Sequence, residues 1–183
     1  MARKESVTKN MILEAAFDLA KTEGIENVTA RKLAAKMNCS TQPIFRVYEN
    51  MNELYMEVFQ KAIDFFSDYY EQYEWDIKVP FIHLGLCYIN FAKEECHLFQ
   101  LLFMSEHRQN KSLYELLNGK SAAVSKEINL AIAKGCENPS GLFMKMWIFI
   151  HGCACMVQTG DYDLTIDETV ELLKDIYKRC STY

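Results

Sequence analysis

Apolar residues recur every three or four positions along almost the whole chain, and no stretch alternates apolar and polar residues as a half-buried strand does. The first such segment begins at Ile12 and stops near Gly24, a residue suited to the left-handed conformation that commonly ends a helix. The pattern then resumes in segments sufficient for about nine helices. We therefore expect an all-α protein.

Near the N-terminus the pattern predicts three short helices, the second and third joined by a tight turn. Thr29 suits the N-cap of the second helix, and Asn38 stands where the turn needs a positive φ. Ser40 or Thr41 would cap the third helix, whose first turn tolerates Pro43. This arrangement is a helix-turn-helix, which places one short helix in the major groove of DNA.

Residues 12–54 resemble the DNA-binding segment of the TetR family of transcriptional regulators. The matching pieces are ILEAAFDLAKTEGIENVT, TARKLAAKM, CSTQPIF and YENMNELY. The resemblance implies that Thr29 and Arg31 contact DNA from the second helix. It implies further contacts from the recognition helix and its end, namely Ser40, Thr41, Gln42, Phe45, Arg46 and Tyr48. The helical pattern leaves the last five of these facing outward.

Two positions depart from that family pattern. Val47 stands where the family often has a histidine, and Met51 stands where a lysine frequently contacts phosphate. Together with Glu49, they suggest weaker contacts to the DNA backbone at the start of the fourth helix. They motivate an alternative function, a helical small-molecule-binding or interaction protein that has lost DNA recognition.

Charge is distributed unevenly along the chain. Residues 1–48 hold eight Lys and Arg against five Asp and Glu, the remainder holds twelve against twenty, and the net charge is −5. A basic end on an acidic chain suits contact with phosphates. An ordinary solvated helix face explains an excess of three positive charges nearly as well, so charge alone decides little.

We expect a helix-turn-helix DNA-binding domain over residues 1–50 and a helical effector-binding and dimerisation domain over residues 51–183. In the second domain, the sixth helix is predicted over residues 96–107 and the seventh over residues 112–134. The eighth follows Pro139, and the ninth spans residues 165–179. The apolar, inward positions of the seventh and ninth include Leu116, Val124, Ile128, Ile132, Ile166, Val170, Leu173 and Tyr177.

The C-terminal part also resembles the TetR family, less specifically. CHLFQLLFMSE is similar to the Leu- and Phe-rich sixth helix of many members, and WIFIHG to the Trp-His-Gly signature of one class of regulatory domain. The resemblance implies a homodimer through the eighth and ninth helices, and a twofold dimer suits a palindromic operator. The eighth helix is apolar on all sides, which fits either this interface or the core of a monomer. If it forms the interface, we expect Trp147 and Ile150 to lie there, so that aspartate at either position breaks the dimer.

Aromatic and methionine side chains crowd the fifth, sixth and eighth helices, and such walls suit apolar ligands. We therefore expect an effector site near Phe91, Phe103, Trp147 and His151, with His151 holding a polar group of the ligand. The same composition at helical spacing is also ordinary core packing, so that alternative stays open.

The sequence carries no phosphate-binding glycine loop, HExxH or GxSxG, so we expect neither enzymatic activity nor a cofactor. Cys153 and Cys155 point to nearly opposite sides of a helix, and no CxxC occurs, so no metal site is expected. A metal site assembled across helices remains open.

Seven cysteines without a signal peptide indicate reduced thiols and a cytoplasmic protein. The most apolar segment, residues 142–157, is shorter than the roughly 20 residues that span a membrane, and Lys145 and His151 interrupt it. The sequence thus predicts a cytoplasmic, homodimeric transcriptional repressor that a small-molecule effector of unknown identity releases from its operator.

Overall fold

A computed structural model describes residues 7–74, 78–105 and 111–181, and all regular secondary structure in these ranges is helical. The α-helices are α1 Lys9–Glu23, α2 Ala30–Lys36, α3 Gln42–Val47, α4 Met51–Gln72, α5 Ile82–Glu94, α6 Cys96–Phe99, α7 Leu113–Asn118, α8 Ala123–Ala133, α9 Pro139–Thr159 and α10 Ile166–Ser181. A 3-10 turn, Ile25–Asn27, follows α1, and a π-helical turn, Gln100–Met104, follows α6. The all-α prediction is confirmed.

The prediction of a single seventh helix over residues 112–134 is wrong, because the segment forms two helices. Gly119 ends α7 with φ 38°, and Ala122 precedes α8 with φ 53°, so the backbone turns between them. The interruption changes the helical phase, and Ile132, predicted to face inward, is 54% exposed. Ile166, also predicted inward, is 43% exposed because it is the first residue of α10.

The sixth predicted helix is also irregular. Its first turn is α-helical, and its continuation from Gln100 to Met104 widens into the π-helical turn. Leu101, Leu102 and Phe103 in that turn are buried. Residues 106 and 107, which the prediction included in this helix, lie outside the described residues.

The chain divides into two compact units, Met1–Ile63 with His97–Asn110, and Asp64–Cys96 with Lys111–Tyr183. We call them the first unit and the second unit. The first unit is not a continuous segment, since it extends past residue 50 and includes the π-helical turn. Helix α4 contributes residues to both.

Local signals start the helices of the first unit. The Thr29 hydroxyl accepts a hydrogen bond from the Lys32 backbone N–H at 3.2 Å, and Asn50 Oδ1 accepts one from the Glu53 N–H at 3.2 Å. These bonds satisfy N–H groups that would lack a partner within the first turn. The helices enclose a core that includes Ile12, Ala16, Leu19, Leu33, Ile44, Leu54 and Val58.

In the second unit, α5 packs mainly against α9, and α10 packs against both. A Cβ atom added to Gly85 would lie 3.0 Å from Ile150 Cδ1 and 3.1 Å from Leu173 Cδ1, so this glycine permits the close approach. At the start of α5, the buried Glu127 carboxylate accepts a hydrogen bond of 2.5 Å from the N–H of Phe81, which has φ 67°.

Among the described helices, α9 is long and apolar enough to cross a membrane by length and composition, with a mean hydropathy of 1.4 over its most apolar window. At 21 residues it is longer than the apolar segment identified from sequence. Its inward residues pack against α5 and α10, and a core helix of a helical unit has this same length and composition.

Candidate DNA-binding surface and ligand site

The turn between α2 and α3 has the predicted geometry. Asn38 has φ 50°, and the N–H of Cys39 returns to the carbonyl of Ala34 at 2.9 Å. Pro43 lies in the first turn of α3, as predicted. Thr41 occupies the N-cap position, but its side chain makes no cap hydrogen bond. The turn therefore fixes the direction of α3 through the backbone rather than through a capping side chain.

Seven of the eight residues predicted to contact DNA are exposed, and we call them the reading surface. They are Thr29, Arg31, Ser40, Thr41, Gln42, Phe45 and Arg46. Ile44 is fully buried and holds α3 against the core, which directs Phe45 and Arg46 outward. Phe45 is 51% exposed, an unusual position for a large aromatic ring unless another molecule covers it.

The two arginines of the reading surface differ from the lysines around them. Four lysines of the first unit are held in ion pairs with carboxylates, Lys9 with Glu57, Lys32 with Glu23, Lys36 with Asp18 and Lys61 with Glu14. Neither Arg31 nor Arg46 has a side-chain hydrogen bond or ion pair within the described residues. Both guanidinium groups are thus available to phosphates or base edges.

The prediction that Tyr48 faces outward is wrong. Its backbone leaves α3 in an extended conformation, the residue is 2% exposed, and its hydroxyl donates to Glu57 Oε2 at 2.8 Å. Lys9 Nζ lies 2.5 Å from the other oxygen of Glu57. Burial, together with the hydrogen bond to Glu57 and its charge, raises the pKa of Tyr48. Tyr48 therefore anchors the end of α3 to α4.

Three of the four predicted effector-site residues lie in one aromatic cluster of the second unit. Phe91 is fully buried, with its ring centroid 4.9 Å from that of Phe66. Trp147 is 4% exposed and stacks on His151, the ring planes being 18° apart. The Tyr88 hydroxyl lies 2.9 Å from His151 Nδ1. Close packing of these rings accounts for their burial without a ligand.

The fourth residue, Phe103, belongs to the first unit. It is 1% exposed, and its ring centroid lies 5.4 Å from that of Phe99. Among the described residues, no three His, Cys, Asp or Glu side chains are grouped as a metal ion would require.

The second unit contains a cleft of about 200 Å³ that sequence reasoning missed. Its apolar walls are Leu86, Ile89, Val157, Leu164 and Ile166. Its polar lining consists of Tyr73, Asn90, Lys93, Tyr162 and Thr169. None of the four predicted effector-site residues lines it. Helical periodicity gives no sign of such a cleft, because Tyr162 and Leu164 come from the connection between α9 and α10.

No family model matches the chain. An uncharacterized HTH-type transcriptional regulator of Bacillus subtilis (strain 168), YvkB, is 26% identical over 96 residues, which are 52% of this chain. The chain spans about half the length of this curated relative, 51%. Similarity to an HTH-type regulator agrees with the helix-turn-helix described above.

Two solved structures share the fold. One is a TetR-like transcriptional regulator from Rhodococcus sp. RHA1, with 15% identity and a TM-score of 0.63. The other, assigned to the TetR family of transcriptional regulators, is from Mesorhizobium loti MAFF303099, with 14% identity and a TM-score of 0.56. Each alignment covers 97% of both chains. The TetR-like fold expected from the sequence is therefore confirmed.

Proposed function

We propose that the chain is a DNA-binding transcriptional regulator, a cytoplasmic repressor whose affinity for its operator is lowered by a small-molecule effector. The observation that carries this proposal is the reading surface, where two unpaired arginines stand on the α2 and α3 helices of a helix-turn-helix. Four lysines of the first unit have carboxylate partners, whereas these two arginines have no anionic partner among the described residues. DNA supplies phosphates and base-edge acceptors in the required geometry.

In this proposal α3 lies in the major groove. Arg46 and Gln42 present donors to base edges, and Phe45 meets the methyl group of a thymine. Thr29 and Arg31 of α2 contact the sugar-phosphate backbone and fix the orientation of the first unit. Tyr48 is not a contact residue, because its hydroxyl is committed to Glu57. It positions α3.

The proposal includes a homodimer formed through α9 and α10. One side of α9, which we call the outer face of α9, leaves large apolar side chains exposed, and it consists of Met144, Ile148, Phe149, Gly152 and Met156. Ile148 alone is 65% exposed, and a Cβ added to Gly152 would meet nothing within 4 Å. A second copy supplies an equally apolar surface, and a twofold dimer presents two reading surfaces to a palindromic operator.

Effector control requires that the ligand bind one arrangement of the dimer more tightly than the other. We place the ligand in the second unit, whose helices α9 and α10 also form the proposed interface. Binding there would favour a spacing of the two reading surfaces that no longer matches successive major grooves. The chain acts in this scheme as a binding protein, without a catalytic step.

Selection of DNA from a random-sequence library by the full-length protein tests the proposal. An enriched palindromic sequence is expected, and its affinity at physiological salt should fall about tenfold in Arg46→Ala and in Arg31→Ala, since each loses one base or phosphate contact. Lys126→Ala is the control, because it removes one positive charge from an exposed, ion-paired position on α8, away from the reading surface and from the proposed interface.

An unchanged affinity in both variants would show that the proposed docking is wrong. The absence of any enriched sequence would favour the alternative, a helical small-molecule-binding or interaction protein without DNA recognition. Val47 and Glu49, both exposed, and the half-buried Met51 at the start of α4 are the residues that motivate this alternative.

A further inference from the structure

The cleft of the second unit has the form of a small amphipathic binding site. Leu86 and Ile89 of α5 and Val157 of α9 form its apolar floor. Across from them, Leu164 is 39% exposed and Ile166 is 43% exposed. A ligand lying between the two walls would remove both side chains from water, and burial of apolar area is the main source of affinity in such sites.

Two hydrogen-bond donors line the cleft without a partner. Lys93, in the last turn of α5, is exposed, and its ammonium group makes no ion pair or hydrogen bond with any described residue. The hydroxyl of the half-buried Tyr73 likewise has no hydrogen bond within the described ranges. Burial raises the pKa of Tyr73 to about 12, so the phenol keeps its proton at neutral pH.

The other side-chain donors of the cleft already make hydrogen bonds. The Asn90 amide donates to the Tyr69 hydroxyl at 2.6 Å, and that hydroxyl donates to Glu94 Oε2 at 2.7 Å. The hydroxyls of Tyr162 and Thr169 lie 2.9 Å apart. A polar group that enters the cleft can therefore accept hydrogen bonds from the Lys93 ammonium and the Tyr73 hydroxyl. A negatively charged acceptor suits this pair of donors best.

The carboxylates near the cleft limit the negative charge that a ligand can carry. Glu74 and Glu94 line the groove that adjoins the cleft and shares Tyr73 and Asn90 with it. Two carboxylates beside the site disfavour a second negative charge on the ligand. The cleft is also smaller than the roughly 300–1,000 Å³ of sites for drug-sized ligands. A short chain or a single ring with one anionic group fits both constraints.

We propose that this cleft binds a small amphipathic monocarboxylate, with its hydrocarbon part between the α5 floor and Ile166 and its carboxylate on Lys93 and Tyr73. The inference names the effector class of the proposed regulator, and in that respect it rests on the proposed function. The binding itself does not depend on DNA. The site joins the end of α5 to the start of α10, so its occupant acts on a helix of the proposed dimer interface.

Isothermal titration calorimetry on the full-length protein tests the site with four probes of equal chain length. Octanoate should bind, and 1-octanol should bind about tenfold more weakly, because it lacks the charge-assisted hydrogen bond. Octylamine and octanedioate should bind still more weakly, since one presents a cation to Lys93 and the other carries a second carboxylate. Equal affinities for octanoate and octanol would overturn the proposal, as would an absence of octanoate binding.

Variants locate the binding within the molecule. Lys93→Gln and Tyr73→Phe should each weaken octanoate, Lys93→Gln by about tenfold, and weaken octanol less, because its neutral hydroxyl accepts a weaker bond from the same donors. Lys134→Gln, an exposed lysine on another part of the same unit, is the matched control and should bind octanoate as the wild type does. Leu164→Trp should fill the cleft and abolish binding of both probes. Unchanged octanoate affinity in Lys93→Gln would place the ligand elsewhere and overturn the inference.

Binding of the selected DNA separates this inference from the proposed function. Octanoate should lower the affinity of the wild type for that DNA and leave Lys93→Gln unaffected. If the protein selects a DNA sequence but does not bind octanoate, the inference fails and the regulator stands. If it binds octanoate through Lys93 but selects no DNA sequence, the carboxylate site stands and the regulator fails.

Discussion

The reading surface and the outer face of α9 both lack a partner in the single chain, but in opposite ways. The reading surface leaves two guanidinium groups without a partner among the described residues, whereas the outer face leaves apolar side chains such as Ile148 and Phe149 in water. An exposed guanidinium group keeps its contact with water and pays no desolvation cost, so the first arrangement costs little in the free protein. Exposed apolar area is unfavourable at all times. We therefore expect reversible DNA binding at one surface and a permanent partner at the other.

The largest expected effects come from aspartate substitutions at a buried and at an exposed position of α9, which test this comparison. Ile150→Asp should unfold the second unit, because Ile150 is 1% exposed and a buried carboxylate without a partner costs more than about 4 kcal/mol. Ile148→Asp should leave the fold intact, as shown by circular dichroism, and should dissociate the dimer. Sedimentation should give twice 21.3 kDa for the wild type and 21.3 kDa for this variant. A monomeric wild type at micromolar concentration would contradict the proposed interface.

The sequence pattern led to a different expectation for this helix. It gave no means of separating Trp147 and Ile150 from Ile148, because α9 is apolar on all sides, and it suggested the first two as interface residues. In the structure Trp147 and Ile150 face the core. Aspartate at either position therefore tests the fold rather than the dimer.

The next effect compares two carboxylates, the buried Glu127 of the second unit and the partly exposed Glu57 of the first unit. Glu127→Ala should lower the free energy of unfolding by about 2 kcal/mol, because the N–H of Phe81 then lacks its acceptor. Burial raises the pKa of Glu127, although hydrogen bonds from the backbone of Phe81 and Leu84 oppose the shift. Its contribution to stability is therefore greatest below the ordinary value of 4.5 and is lost as the pH rises through the raised pKa.

Glu57 of the first unit should show the opposite pH dependence. Burial acts to raise its pKa, but hydrogen bonds from Lys9 and Tyr48 and the charge of Lys9 outweigh burial and lower it. Thermal unfolding from pH 3 to 7 separates the two groups. Relative to Glu127→Gln, the wild type should lose stability as the pH rises above 4.5. Relative to Glu57→Gln, it should lose stability as the pH falls below 4.5. A pH-independent difference in either pair would contradict the assignment.

The smallest expected effects distinguish Phe45, a proposed DNA-contact residue, from Tyr48, which anchors the end of α3. Tyr48→Phe should lower the free energy of unfolding by about 1 kcal/mol, through the lost hydrogen bond to Glu57, and leave DNA affinity nearly unchanged. Phe45→Ala should do the reverse, since its ring is half exposed. Denaturant unfolding and DNA titration of both variants measure the two quantities. A Tyr48→Phe variant that folds normally and loses DNA affinity would contradict this assignment and would show that Tyr48 takes part in DNA binding.

Sequence reasoning succeeded in the first unit where the determining contacts are local. The caps at Thr29 and Asn50 and the positive φ at Asn38 each act within a few residues, and each was predictable. The buried position of Tyr48 was not predictable, because it depends on Glu57, nine residues further along, and on Lys9 from another helix.

The second unit was predictable as a set of helices but not as a set of contacts. The break before α8 depends on a positive φ at Ala122, and alanine carries no signal for that conformation. The predicted effector residues were chosen for their aromatic character, which packing among Phe66, Tyr88 and Phe91 explains by itself. The cleft at Lys93 and Tyr73 depends on how α5, α9 and α10 meet, and helical spacing does not encode that arrangement.

The ion pairs around the reading surface have a consequence for specificity in concentrated salt. Lys32 and Lys36 already hold protein carboxylates, so they displace few counterions when DNA arrives. If Arg31 is the cation that neutralises a phosphate in each protomer, two protomers make two such contacts, and the logarithm of the affinity should fall with that of the salt concentration with a slope of about −2. Few phosphate contacts weaken binding to non-operator DNA more than binding to the operator, because hydrogen bonds to base edges release no counterions.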